Sequence, residues 1–263
     1  MDINVLISNP DFVSEIFSFP QVSGIYVEME RLRPSKIKEL IKSAHKAGKK
    51  LYVALPYVWN EEVEKTLNRE ITAVISASPD GYLIRNLDEL GLLKDRNVTG
   101  KKILDAGMYT WNKSAMKELH IIGADYFTAP YELNSHELSE RGFENTEVVI
   151  YGYYPMMISN NCLFLTTGKC QKEKNPYGVF KMKDRMGAEF PVVNRCKFCY
   201  NIIYNSVPTW LMDCADVYKA SSVRLNFTIE SRPQMRTILS KYFGGDATAP
   251  KGITRGHFSR GAE

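Results

Sequence analysis

Residues 25–56 run IYVEMERLRPSKIKELIKSAHKAGKKLYVALP, and their reading decides the fold. Ile25–Met29 and Leu51–Pro56 are short β-rich runs. Between them, Ile37, Leu40, Ile41, Ala44 and Ala47 recur at helical spacing, while Lys36, Lys38, Glu39, Lys42 and Lys46 lie mainly outside that stripe. Pro34 precedes the helix, predicted over Ser35–Ala47, and Gly48 stands where a left-handed C-cap belongs. Neither strand alternates cleanly between polar and apolar residues, which suits parallel strands covered on both faces. The unit is strand, helix, parallel strand.

Working outward, the same unit repeats. Further strands are predicted at Asn4–Ser8, Gly81–Arg85, Lys102–Asp105, Tyr126–Ala129, Val148–Tyr153 and Val223–Ile229, and helices at Glu61–Arg69, Leu87–Lys94, Lys113–Ile122 and Pro233–Phe243. Eight strands with intervening helices favour an eight-stranded β/α (TIM-like) barrel over an open doubly wound sheet. The 263 residues then form a single barrel domain, with residues 244–263 as a polar, Gly-rich C-terminal tail. The rhythm breaks once, over residues 158–222, between the last two strands. A connection that long inside a compact domain is usually functional or separately stabilised.

All five cysteines fall in that insertion: Cys162, Cys170, Cys196, Cys199 and Cys214. An odd number confined to one segment argues for a site and against a disulfide framework. Cys196 and Cys199 are spaced so that both thiolates can reach one metal from a tight turn, and Cys162 and Cys170 would complete four ligands. Spacing alone says metal. Zinc and an iron–sulfur cluster both remain open, although zinc ribbons usually carry two tight pairs.

The net charge of +4 is a mild bias, short of the basic stripe that would demand nucleic acid. No apolar run approaches the ~20 residues needed to span a bilayer, and the start lacks a basic secretory signal. These features point to the cytoplasm and away from the membrane.

In a β/α barrel the C-terminal rim of the strands displays the active site. Asp105, Glu132 and Tyr151 stand there as candidate catalytic groups. Asn86, Trp111, Asn112 and Glu230 stand there as candidate substrate contacts, and His257 joins them if the tail folds over the mouth. Asn112, before a helix, could equally be a cap. Tyr109, Trp111, Tyr151, Tyr153 and Tyr154 form an aromatic group able to stack on a planar ring. His45 and His120 fall in predicted helices and His136 in a loop. Neither Gly-x-Ser-x-Gly nor His-Glu-x-x-His occurs.

Tyr151-Gly152-Tyr153-Tyr154-Pro155-Met156-Met157, then Cys162, Cys170, Lys183-Asp184-Arg185, Phe190-Pro191 and Asn205-Ser206, stand in an order that resembles the peptidase U32 family. Leu55-Pro56, Asn86, Asp105, Trp111-Asn112, Glu132-Leu133 and Thr254-Arg255-Gly256-His257-Phe258 extend the resemblance over nearly the whole chain, which is similar to the later portion of longer members. The resemblance implies a β/α barrel with a [4Fe–4S] cluster on Cys162, Cys170, Cys196 and Cys199, with Cys214 as a rival fourth ligand. It also implies oxygen-independent hydroxylation of an RNA base or a small aromatic substrate. Two alternatives accompany it: a collagenase-like peptidase, and a partner subunit of a second family chain.

Overall fold

The computed structural model describes residues 1–170 and 178–260. The polar stretch Gln171–Pro176 and the last three residues of the tail lie outside the described residues. Seven parallel strands come first: β1 (Asp2–Ile7), β2 (Gly24–Glu28), β3 (Lys50–Ala54), β4 (Gly81–Ile84), β5 (Lys101–Leu104), β6 (Tyr126–Thr128) and β7 (Thr146–Gly152). An antiparallel group follows: β8 (Pro155–Ser159), β9 (Val179–Lys183), β10 (Glu189–Arg195) and β11 (Tyr200–Tyr204). The short β12 (Thr209–Trp210) and the last barrel strand, β13 (Ser222–Phe227), complete the set. Each of β1 to β6 pairs in parallel with the next, β7 also pairs in parallel with β13, and β13 pairs in parallel with β1. The ladder closes on itself, so the predicted eight-stranded β/α barrel is the fold.

Helices follow the strands: α1 (Val13–Ile16), α2 (Ile37–Lys46), α3 (Glu61–Ala77), α4 (Leu87–Asp95), α5 (Lys113–Ile121), α6 (Ser135–Arg141), the short α7 (Leu163–Thr166) and α8 (Arg232–Phe243). Apart from α7, which belongs to the insertion, they pack apolar residues on the outside of the strands. Val5, Ile25, Val27, Val53, Ile84, Leu104, Ile150 and Leu225 meet Ile41, Leu67, Leu90, Leu138 and Leu239 in the main core. At ~25 cal/mol per Å² of buried apolar surface, this layer is the principal stabilising term. α2 ends with Gly48 at φ 70°, a left-handed position that glycine adopts without strain. No described helix is long and apolar enough to cross a membrane.

After β7, where the strand–helix rhythm breaks, stands a four-stranded antiparallel sheet, ordered β8-β11-β10-β9. Gly152, at φ 142°, permits the turn-off, because a Cβ there would stand 2.7 Å from the carbonyl oxygen of Asn226. The insertion is not a polar loop. Val193, Tyr200, Ile202 and Tyr204 form a buried cluster on its inner face, against Tyr57, Val58, Tyr153 and Ile229 of the barrel mouth. The tail is not loose either. Ala247, Ile253 and Phe258 pack on the main core, Trp210 donates to Thr254 O, and Arg255 clasps Asp213.

Candidate active site in the barrel mouth

The barrel interior is charged. Arg224 of β13 donates from Nη2 to Asp105 Oδ1 at 2.7 Å, although β7 and β6 stand between β13 and β5 in the ladder, so the contact crosses the interior. Asp105 Oδ2 accepts from Arg85 Nε at 3.1 Å, and Arg85 reaches both oxygens of Glu28 at 2.9 and 3.1 Å. On the other side, Arg224 Nη1 sits 2.9 Å from Glu147 Oε2. Glu147 Oε1 also receives Asn4 Nδ2 at 2.7 Å and the Tyr26 hydroxyl at 3.3 Å. Beneath lie Leu6, Tyr26, Tyr52, Ala54, Leu83, Ile103 and Tyr126, a small apolar and aromatic plug.

Burial alone would raise the Asp105 carboxyl, but Arg224 and Arg85 outweigh it and hold it below the usual range. Glu28 follows the same rule: burial opposes, Arg85 and Arg195 prevail, and it stays ionised. Glu30 differs. Burial raises it, only partly offset by Arg195. Its carboxylate receives the Tyr200 hydroxyl at 2.8 Å and lies 3.5 Å from Arg195 Nε, so β10 and β11 reach down onto the end of β2.

A cavity of about 240 Å³ opens over Arg85 and Asp105. It is walled by residues just past the C-terminal ends of β3 to β7: Tyr57, Gly107, Tyr109, Tyr131, Glu132 and Pro155–Ile158. Arg85 lies 3.8 Å over the Tyr57 ring, and Tyr131 stacks on Tyr154 at 3.9 Å. Tyr109 holds φ 51°, an uncommon conformation for a non-glycine residue, and exposes its ring beside Trp111. Among the described residues, Glu132 has no ion-pair partner. A wider groove of about 800 Å³ runs between the β1 and β2 loops. Its rim charges Asp11, Arg33, Lys36 and Glu39 are solvated and of mixed sign, so the smaller cavity, with its buried ions, is the better candidate site.

Of the residues expected at the rim, Asp105, Tyr109 and Glu132 line this cavity. The others lie elsewhere. Tyr151 is buried in the outer core against Trp210 and Phe227, with its hydroxyl on Glu230 Oε1 at 2.8 Å. Glu230 in turn accepts from the backbone N–H groups of Thr228 and Ile229. Asn86 caps α4 through Glu89 N, and Asn112 caps α5 through Ala115 N. His257 sits on the barrel flank beside Tyr131 and Tyr154. His136, expected in a loop, lies in α6, which opens with a capping box on Asn134 and Glu137.

The cysteines divide. Cys162 heads α7, where Leu163 N donates to Asn201 Oδ1 at 2.9 Å, and Asn201 follows Cys199 by two residues. Cys162 and the Cys196–Cys199 turn therefore share one end of the inserted sheet. That turn is fixed by Lys197 on Glu70 at 2.6 Å and by the left-handed Cys199, φ 55°. Cys170 is exposed at the edge of the described residues. Cys214 lies elsewhere, with its sulfur 3.6 Å from Asp213 and 3.7 Å from Arg255. Among the described residues, no three Cys, His, Asp or Glu side chains converge in an arrangement that would hold a metal ion. The donor chemistry suits a cluster, but the thiols do not meet at a point.

A model of peptidase family U32 matches residues 25–189, more than half of the chain. The chain belongs to peptidase family U32. The match spans β2 to β9 and includes Cys162 and Cys170, whereas Cys196, Cys199 and Cys214 fall beyond it. No curated protein matches the sequence. Among solved structures, an uncharacterized B. cereus protein aligns over 90% of this chain at 10% identity and a TM-score of 0.44. The chain spans 64% of that protein's length. The HpcH/HpaI aldolase from Desulfitobacterium hafniense DCB-2 aligns over 96% of this chain and 95% of its own, at 10% identity and a TM-score of 0.38. Among the described residues of this U32 chain, no histidine lines the mouth cavity.

The residues that sequence reasoning missed are Glu28, Arg85, Glu147 and Arg224, with Tyr57 and Tyr131. A signal was present. Ser222-Val223-Arg224-Leu225-Asn226-Phe227 alternates strictly, and Tyr26 and Glu28 share one phase of β2.

Proposed function

We propose that this U32 chain is an iron–sulfur enzyme that hydroxylates a planar ring without dioxygen, an organic hydroxyl donor giving up the oxygen and taking the two electrons; the ring is an RNA base or a small aromatic compound. The observation that carries this reading is the mouth cavity. Three tyrosines wall it, an ionised Asp105 forms its floor, and β8, which borders it, leads directly to Cys162. Its volume is below the roughly 300–1,000 Å³ of pockets for drug-sized ligands and suits a small planar group. An RNA source is supported by charge. Residues 155–206 carry eight Lys and Arg against three Asp and Glu, a net +5, so the rest of the chain is at −1.

In this reading Asp105 is a fixed negative charge, clamped between two guanidinium groups so that it cannot swing. Glu132, free of an ion pair, is the group that takes or gives a proton. Tyr109 and Tyr131 orient the ring. A [4Fe–4S] cluster, with Cys162, Cys170, Cys196 and Cys199 as its proposed ligands, would supply electron transfer when bound; zinc on the same thiols is the alternative. The spacing of Cys196 and Cys199 and the sheet end they share with Cys162 support three of these ligands.

Anaerobic purification followed by an absorption spectrum and iron and sulfide counts tests the proposal. About four irons per chain are expected for such a cluster, lost in Cys162→Ser and kept in Cys214→Ser. Colourless, iron-free protein would end the cluster reading. Mass spectrometry of candidate substrates should show the gain of one oxygen. Cleavage of denatured collagen, lost in Glu132→Ala, would instead favour the peptidase reading.

A second reading is a partner subunit of another family chain. Met156, Met157, Ile158, Leu165, Val179, Met182 and Met186 are all exposed on the insertion, an apolar concentration of the kind found at interfaces. Coexpression with a second family chain and size-exclusion chromatography would test it, and full turnover by a monomer would end it.

A further inference from the structure

The charges around the mouth cavity do not balance, and the imbalance selects a ligand. Arg85 spends four of its five N–H groups, on Asp105, on both oxygens of Glu28 and on Leu55 O. Arg224 donates from Nε to Asn226 and from Nη2 to Asp105, and its Nη1 faces Glu147. Both cations are thus consumed inside the barrel. Against these two guanidinium charges stand Glu28, Asp105, Glu147 and, on the cavity wall, Glu132. The formal net is minus two. The adjacent Arg195–Glu30 pair adds one charge of each sign and does not change it.

The walls work in the same direction. The rings of Tyr57, Tyr109 and Tyr131 stand in the walls, Tyr57 already carrying the Arg85 guanidinium 3.8 Å from its centre, and the thioethers of Met156 and Met157 are weak acceptors. The donors left to an entering carboxylate or phosphate are the hydroxyls of the wall tyrosines and one N–H of Arg85, and it would still face uncompensated negative charge. A cation would meet aromatic rings, thioether sulfur and the carboxylate of Glu132, which has no ion-pair partner among the described residues.

We infer that the mouth cavity takes a positively charged, nitrogen-bearing planar group, such as a ring carrying an amidinium or a protonated amino-heterocycle, and excludes rings that carry their own anion. This rests on the reading of the cavity as the substrate site and narrows its substrate class. A nucleotide would place only its base here and leave its phosphate outside.

Benzamidine, benzamide and benzoate have nearly the same shape and carry charges of plus one, zero and minus one. Calorimetric titration of each into the full chain gives the test. Benzamidine should bind roughly ten-fold tighter than benzoate, with benzamide between, a span within reach of a cation on aromatic faces beside a carboxylate. In Glu132→Gln, checked for folding by circular dichroism, benzamidine should weaken several-fold while benzamide holds. Benzoate binding as well as benzamidine would overturn the inference. So would a ranking unchanged by Glu132→Gln, or no binding of any of the three. Iron counts on the same samples separate the two proposals. Iron-free protein that still ranks the ligands sinks only the cluster, and iron-loaded protein that prefers benzoate sinks only this inference.

Discussion

Asp105 and Glu89 are both buried carboxyls close to Arg85, yet they should respond to pH in opposite directions. Asp105 lies between Arg224 and Arg85, which hold its pKa below that of an unfolded aspartate. The unfolded chain therefore binds more protons as pH falls below about 4, so this contribution is complete above that pH and is lost as pH drops through the folded value. Removing one member of a buried charge network leaves the others uncompensated, so Asp105→Asn should cost about 3–5 kcal/mol at pH 7. The difference from the unsubstituted protein should shrink below pH 4, as urea midpoints at several pH values would show. Glu89 is buried and accepts the Arg85 backbone N–H at 2.7 Å, but burial pushes it well above the usual range. Here the folded chain keeps a proton that the unfolded chain loses above about pH 4.3. Its contribution is therefore greatest below that value and declines as pH rises. Glu89→Gln cannot titrate. It should gain stability relative to the unsubstituted protein between pH 5 and pH 8, and an advantage constant with pH would contradict the assignment.

At the scale of elements, the N-caps decide between two roles for the same asparagines. Asn86 and Asn112 have extended backbones and place their side-chain oxygens on the third N–H of α4 and α5. Asn112→Ala should therefore cost about 1 kcal/mol and leave benzamidine binding unchanged; a lower midpoint together with lost binding would return Asn112 to the site. Elements were legible where local chemistry fixed them. All eight barrel strands were visible because strands covered on both faces are short apolar runs between Gly, Pro, Asn and Asp. Five helices were visible by period. The antiparallel sheet was not, because β8 pairs with β11 across more than forty residues and β9 carries exposed lysines that resemble a loop. Within the site, Asp105 and Glu132 were legible as polar residues past strand ends. Arg224 and Glu147 were not, because a charge inside an apolar strand shows its partner only once the barrel closes. Tyr151 misled for the converse reason: its position near a strand end did not reveal that its ring turns outward, into the core.

For the whole molecule, the question is whether barrel and insertion are one cooperative body. The insertion's inner face buries Val193, Tyr200, Ile202 and Tyr204 against the mouth, and three polar contacts fasten its cysteine turn: Tyr200 and Arg195 on Glu30, and Lys197 on Glu70. Lys197 and Glu70 are partly exposed, and such pairs contribute little, at most about 1 kcal/mol. The fully buried Tyr200–Glu30 bond is different. Arg195 only partly offsets the burial of Glu30, so deleting the hydroxyl in Tyr200→Phe removes a donor from a group that cannot turn to water, at about 1–3 kcal/mol. That loss falls on the joint between the two parts and on neither part's own ladder. In the unsubstituted protein, amides of β10 and β11 should exchange hydrogen only through the same global opening as those of β2. In Tyr200→Phe they should exchange through a smaller, separate opening while β2 keeps its protection. If β10 and β11 already exchange far faster than β2 before the substitution, the insertion is an independent unit, and Glu30 does not couple it to the barrel.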